Sequence, residues 1–140
     1  MHFREDNNRF LIVLELGDEI ISSLTEFAER KNIEGGFFEG IGALNEAEIG
    51  WFDLETKQYI KKELFGQREI LSLKGNIARD EAGKPIVHCH ILLGARDFTC
   101  EGGHLFSGRI SVTCEIFLEP TSPIIRGIDD ITGLKLWKLA

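Results

Sequence analysis

Three of the four histidines in this 140-residue chain lie close together, in a pattern typical of a metal site. His88 and His90 flank Cys89 within residues 87–93, a run of strand length and composition. Alternate residues of a strand project from the same face, so we expect the two imidazoles side by side, about 7 Å apart at Cα. Neutral imidazole suits zinc, copper, iron or nickel. The pair therefore predicts two ligands of one divalent metal ion.

His104 is the expected third ligand. It follows Gly102 and Gly103, and a hairpin through residues 95–103 would return it beside the strand that carries His88 and His90. Three imidazoles leave one position of a tetrahedral zinc ion open, which is typical of sites that hold water or substrate. The alternative is that these histidines are half-buried polar residues of a sheet.

Four other polar residues are candidates to orient the ligands or to exchange protons: Glu115, Glu101, Asn76 and Glu39. The alternative for each is a surface carboxylate or a turn amide. His2 is expected at a frayed terminus, away from the site.

The three cysteines, Cys89, Cys100 and Cys114, form no CxxC pair, which favours a reducing compartment and excludes a zinc ribbon. Cys89 should point away from its flanking histidines and Cys114 lies in an apolar run, so both are predicted to be core residues. Cys100 is placed in the hairpin loop. Neither metal ligation nor nucleophilic catalysis by Cys100 is favoured, because no local base is evident.

Composition narrows the class of protein. The formal net charge of −7 disfavours phosphate-backbone binding, and no apolar run is long enough to span a membrane. The charged N-terminal residues do not resemble a signal peptide, so we expect a cytoplasmic protein. The length predicts a single domain, residues 1–140, with a core at about 3–120 and a tail at 121–140.

The surrounding elements read as one helix and a series of strands. Helical spacing of Ile20, Ile21, Leu24, Phe27 and Ala28 predicts a helix capped by Asp18. Residues 10–16 are predicted to be a central strand that is buried on both faces. Further strands are expected at residues 47–53, 58–64, 69–78, 86–93 and 104–118, with an edge strand near 134–139. The glycine-dense segment 35–43 suits a strand or turn with close backbone approach, and not a phosphate cradle.

Four ordered motifs resemble the PPC ("plants and prokaryotes conserved") domain family. They are Gly40-Ile41-Gly42-Ala43-Leu44, residues 69–77, His88-Cys89-His90, and Gly102-Gly103-His104-Leu105 followed by Gly108. The similarity covers roughly residues 3–120. It implies an α+β fold with a mainly antiparallel sheet and one principal helix, assembled as a homotrimer. It also implies a metal site, commonly zinc, formed by His88, His90 and His104.

Plant relatives join this domain to AT-hook segments with a short Arg-Gly-Arg-Pro core, which this sequence lacks. The DNA-binding label of the family therefore has no evident physical basis here. Two functions remain in competition. One is a metal-dependent protein of unassigned activity, with a hydrolase-like reaction on a small molecule through metal-activated water as one candidate. The other is a non-catalytic trimeric binding or scaffold module.

Overall fold

Within residues 1–139, which the computed structural model describes, the chain forms eight β-strands and one α-helix. In chain order they are β1 (His2–Asp6), β2 (Arg9–Glu15), α1 (Ile20–Arg30), β3 (Gly36–Asp53), β4 (Gln58–Asp80), β5 (Pro85–Gly94), β6 (Cys100–Pro120), β7 (Ile125–Ile128) and β8 (Lys135–Trp137). The predicted α+β class, with a mainly antiparallel sheet and one principal helix, is confirmed.

The long strands pair in a closed ring. β3 pairs with β4 on one side and with β6 on the other, and β5 pairs with both β4 and β6. β2 and β1 extend the sheet beyond β6, while β7 and β8 extend it beyond β4. Every pairing is antiparallel except a short parallel contact between β4 and β7. The ring holds β5 and β6 side by side, which places the histidine-bearing segments next to each other.

Two strands are longer than the sequence predicts. The glycine-dense segment and residues 47–53 form the single strand β3, and residues 58–64 and 69–78 form the single strand β4. The sequence predicts a break between strands at residues 65–68, and this prediction is wrong, because Gly66, with φ +91°, lies within the strand where the β3–β4 register shifts. A bulge absorbs one residue without ending the strand.

The N-cap of helix α1 lies one residue later in the chain than predicted. Glu19, and not Asp18, is the N-cap, and its carboxylate accepts hydrogen bonds from the backbone N–H of Ile21 and Ser22. Asp18 instead accepts from the N–H of Glu15 and so closes the preceding turn. Glu19 also accepts from the N–H of Gly108, which ties the start of α1 to β6.

β2 is buried on one face only, so the prediction of burial on both faces is wrong. Phe10, Ile12 and Leu14 are buried in the hydrophobic core, and Phe10 packs edge-on against Phe27 of α1 at 5.1 Å. Val13 on the opposite face is exposed. A single helix covers one side of the sheet, and the apolar side chains of the other side remain open.

Both ends of the chain form strands. Residues 2–6 pair with β2, so the expectation of a frayed N-terminus around His2 is wrong. The predicted edge strand is present as β8, which pairs with β7. Ala140, the last residue of the predicted tail, lies outside the described residues.

Candidate metal centre

His88, His90 and His104 converge on one point. His90 on β5 lies directly opposite His104 on β6 in the strand register, and His88 is two residues away on the same strand as His90. The ring centroids are 5.3 Å apart for His88 and His90, 5.1 Å for His88 and His104, and 5.6 Å for His90 and His104. One ligand atom from each residue lies within 4.8 Å of the others. This geometry can hold one metal ion.

The alternation of β5 and the close packing around His104 produce this convergence. Cys89, between the two histidines on β5, is buried on the opposite face of the strand, as strict strand alternation requires. Gly103 allows the backbones of β6 and β3 to approach, because a Cβ there would lie 2.6 Å from the carbonyl oxygen of Gly50. Any side chain at Gly103 would therefore push His104 away from β3.

The hairpin between β5 and β6 is shorter than predicted. The turn closes within residues 95–99, where the N–H of Ala95 donates to the carbonyl of Thr99. Gly102 and Gly103 belong to β6 itself and not to the turn. The prediction of a turn extending to residue 103 is wrong, although the return of His104 beside β5 is as expected.

The electrostatics of the site favour neutral imidazoles. Burial lowers the pKa of His88 to about 4, with the Arg126 charge adding to the effect. Burial also lowers the pKa of His104 to about 4. Both rings are therefore uncharged at neutral pH, and an uncharged imidazole has one nitrogen lone pair, which can bind a metal once no hydrogen bond occupies it.

The environment of His104 suits a metal ligand. Its Nδ1 atom is buried and makes no hydrogen bond with residues 1–139. The rings of Tyr59 and Phe106 pack against it at centroid distances of 4.9 and 4.6 Å. An unpaired buried nitrogen is costly unless something binds it, so the residues present fit a metal ion.

His88 has a different environment, formed by the C-terminal strands. Its Nδ1 accepts a hydrogen bond from Nη2 of Arg126 at 3.0 Å. The same Nη2 donates to Oδ1 of Asn76 at 2.9 Å, and this oxygen also accepts from Nε1 of Trp137 at 3.3 Å. Asn76, which faces His88 across the β4–β5 pairing, thus holds Arg126 beside the histidines.

The structure separates the four candidates for supporting roles. Asn76 is linked to the histidines by Arg126, which donates a hydrogen bond to its side chain. Glu101 instead forms ion pairs with Lys62 and Arg68. Glu39 lies 3.5 Å from Lys74 across the β3–β4 pairing. Glu115 lines the grooves of the open sheet face. Within residues 1–139 these three carboxylates form no hydrogen bond or ion pair with the histidines.

The cysteines lie outside the histidine group. Cys89 and Cys114 are buried, and burial raises the pKa of both thiols to about 12, so both are the core residues that the sequence predicts. Cys100 is exposed at the start of β6 and is not among the clustered ligand atoms. His2 is also remote from the group, with its Nε2 3.2 Å from a carboxylate oxygen of Glu15.

Sequence analysis missed Arg126, Trp137, Tyr59 and Phe106. Arg126 interrupts the apolar run of residues 124–128, and an arginine in such a run is a signal of a buried charge. That signal gives no partner, since the contact with His88 spans 38 residues.

The sequence matches the model of a known protein family. The model of the Plants and Prokaryotes Conserved (PCC) domain matches residues 1–122, most of the sequence and all three histidines. The chain belongs to this family. It is the family whose motifs the sequence resembles, and its match ends before β7, so Arg126 and Trp137 lie beyond the matched region.

Solved PCC-domain relatives share the fold along nearly the whole chain. A metal-containing protein from Archaeoglobus fulgidus is 40% identical, with 99% of both chains covered and a TM-score of 0.87. A plant- and prokaryote-conserved protein from Pyrococcus horikoshii is 33% identical, covering 99% of this chain and 96% of that one, with a TM-score of 0.88. A candidate DNA-binding protein from Bacteroides thetaiotaomicron is 30% identical, covering 98% and 96%, with a TM-score of 0.93. No curated protein matches the chain.

In residues 1–139, no helix has both the length and the apolar character that crossing a membrane would require.

Proposed function

We propose that this PCC-domain protein binds one divalent metal ion, preferentially zinc, through His88, His90 and His104. The observation that carries the proposal is the convergence of three ligand atoms within 4.8 Å, two of them on imidazoles that burial keeps neutral. Zinc suits three imidazole ligands because it binds histidine nitrogen and forms four-coordinate sites in which a water or substrate completes three protein ligands. The relative from Archaeoglobus fulgidus, described as metal-containing, supports the same conclusion.

Three protein ligands leave a coordination position for water or for a small molecule. A zinc ion in such a site lowers the pKa of bound water and acts as a Lewis acid. This chain's residues supply neutral nitrogen ligands, an aromatic wall of Tyr59 and Phe106, and the cation of Arg126. Within residues 1–139 no carboxylate forms a hydrogen bond or ion pair with the three histidines, so the proposal assigns no general base and names a metal-binding function without a reaction.

Metal analysis of untagged protein tests the proposal. Wild type should carry about one ion per chain after dialysis, and His88→Ala, His90→Ala and His104→Ala should each lose most of it. His2→Ala is the matched control, because His2 is 78% exposed and remote from the group. Equal metal content in His104→Ala and wild type would contradict the proposal, as would loss of metal in His2→Ala alone.

The DNA-binding description of some relatives does not transfer readily to this chain. A formal net charge of −7 repels a polyanion, and DNA affinity depends on cations placed against phosphates. Metal binding is therefore the better-supported function.

We also propose a homotrimer, as the family resemblance implies. The support is an open face of the sheet, formed by Leu11, Val13, Ile41, Leu71, Val112 and Phe117. Two grooves of about 550 and 510 Å³ run along it, and both are mainly apolar. An apolar face of this kind is typical of a protein interface. Additional copies of the same chain would cover it.

Sedimentation equilibrium tests the assembly. Wild type should give about three times the chain mass of 15.8 kDa. Ile41→Glu should shift the protein to monomer, because Ile41 is 60% exposed on the open face. Leu54→Glu, in the turn between β3 and β4, changes an exposed apolar residue away from that face and should remain trimeric. A monomeric wild type would contradict the proposal.

A cytoplasmic location is proposed as well. Its support is that Cys89, Cys100 and Cys114 are all free, which suits a reducing compartment.

A further inference from the structure

Arg126 is a buried cation beside the histidines without a negative partner in residues 1–139. Its side chain donates to the carbonyl of Lys135, to Oδ1 of Asn76 and to Nδ1 of His88, all of which are uncharged. The residue is only 6% exposed, and its Nε is buried with no hydrogen-bond partner. The carboxylate of Asp80, its neighbour in the β4–β7 pairing, lies 3.2 Å from Lys135 instead.

A buried guanidinium without a counter-ion is unfavourable, because burial removes water and no opposite charge replaces it. Arginines buried in this way usually pair with a carboxylate or a phosphate. A divalent ion on three neutral imidazoles would place two further positive charges nearby. The site as a whole then has an excess of positive charge that an anionic ligand would offset.

The contact between Arg126 and His88 adds a second constraint. Arginine has no acceptor atom, so Nδ1 of His88 must accept, and the neutral ring then carries its proton on Nε2. In that state His88 has no free lone pair for a metal. Ligation by His88 therefore requires Arg126 to give up this hydrogen bond, which leaves a second N–H of the guanidinium unpaired, in addition to that of Nε.

Building on the proposed metal function, we infer that Arg126 and the bound metal together form a site for a small oxyanion, such as a carboxylate or phosphate. The planar fork of a guanidinium matches two oxygens of either group. Asn76 and Trp137 hold the guanidinium in place, since both contact it or its acceptor. Arg126 comes from the C-terminal strands, so the segment beyond the family match determines which ligand the histidine site accepts.

Cobalt-loaded protein allows the test to proceed in two separate steps, because cobalt(II) absorbs visible light and reports changes in its ligands. In the first step, cobalt is titrated into metal-free wild type, Arg126→Gln, Arg126→Lys and the control Arg9→Gln. Arg9 is half exposed and pairs with Glu119 at 3.4 Å, away from the histidines. In the second step, acetate and inorganic phosphate are titrated separately into each loaded protein and followed by absorbance and calorimetry.

We expect all four proteins to take up one cobalt ion per chain, and the wild-type spectrum to change on addition of acetate, phosphate or both. Arg126→Gln should bind the effective anion at least tenfold more weakly, Arg126→Lys should lie between, and Arg9→Gln should match wild type. The tighter of the two anions identifies a carboxylate or a phosphate as the ligand class. Should Arg126→Gln fail to fold, the comparison of wild type with Arg126→Lys decides the matter.

Two results would overturn this inference while leaving the metal function intact: a loaded wild type that binds neither anion, or Arg126 variants that bind as tightly as wild type. Failure of every protein to take up cobalt would overturn the metal function and the anion site together. That failure is visible in the first step, before any anion is added.

Discussion

Replacing Gly75 by alanine should destabilise the protein and weaken its metal site. Gly75 lies on β4 opposite Cys89, the residue between His88 and His90. A Cβ at Gly75 would lie 2.5 Å from the carbonyl oxygen of His88 and from Cζ of Phe38, and closer still to Cβ of Cys89. Carbon atoms pack at about 3.5–4.0 Å, so β5 must move away from β4 by roughly an ångström.

The structure puts the cost in the upper part of the range for overpacked cores. Two of the three clashing atoms are a backbone oxygen and a Cβ, which cannot rotate away, and Phe38 is fully buried. Overpacking typically costs about 1–3 kcal/mol, and we expect about 2–3 kcal/mol here. For a chain of this size that corresponds to a Tm lower by about 8–12 °C. The shift of β5 would also displace His88 and His90 from His104.

Thermal and urea denaturation of metal-free protein measure the first effect, and zinc titration at 20 °C measures the second. Gly94→Ala is the matched control on β5, because the three atoms nearest to its added Cβ all belong to the Leu71 side chain, at 3.2 Å or more. Leu71 is exposed and can change rotamer, so this variant should lose less than about 1 kcal/mol. Equal stability of Gly75→Ala and Gly94→Ala, or unchanged zinc affinity in Gly75→Ala, would refute the reasoning.

Three further predictions concern the thiols, the core and nucleic acid. Burial raises the pKa of the Cys89 and Cys114 thiols to about 12, so both should stay protonated and unreactive towards a disulfide reagent between pH 7 and 9. The exposed Cys100 should react. Modification of more than one thiol per folded chain would contradict this prediction. Arg79→Met should destabilise the protein by about 3 kcal/mol in urea denaturation, since Arg79 is buried and donates to three backbone carbonyls, those of Ala28 in α1, of Ile33 just after it and of Gly83. A loss below about 1 kcal/mol would argue against that role. Wild type, with a net charge of −7, should not shift an A·T-rich duplex in a gel-shift assay at low salt. A complex whose affinity falls steeply with salt would contradict this prediction.

The histidine group could be predicted from the sequence because its geometry is mostly local. The two-residue period of a strand places His88 and His90 on one face, and a short hairpin returns His104 within sixteen residues. The one-residue error at the cap of α1, Glu19 in place of Asp18, arises because either carboxylate can accept from a free backbone N–H.

The remainder of the site depends on contacts distant in sequence. Arg126 reaches His88 only because β7 lies along β4, a pairing between residues 79–80 and 125–126. No spacing rule connects those segments. The exposed face of β2 was likewise missed, because a continuous apolar run does not distinguish a strand that is buried on both faces from one with an exposed apolar face.

Crystals of the zinc-loaded protein, measured on both sides of the zinc absorption edge, test the central claim most directly. The account predicts one anomalous peak per chain, with a nitrogen of His88, of His90 and of His104 each about 2.0–2.1 Å away. A peak bound elsewhere, or fully loaded crystals in which His104 faces away from the ion, would contradict it.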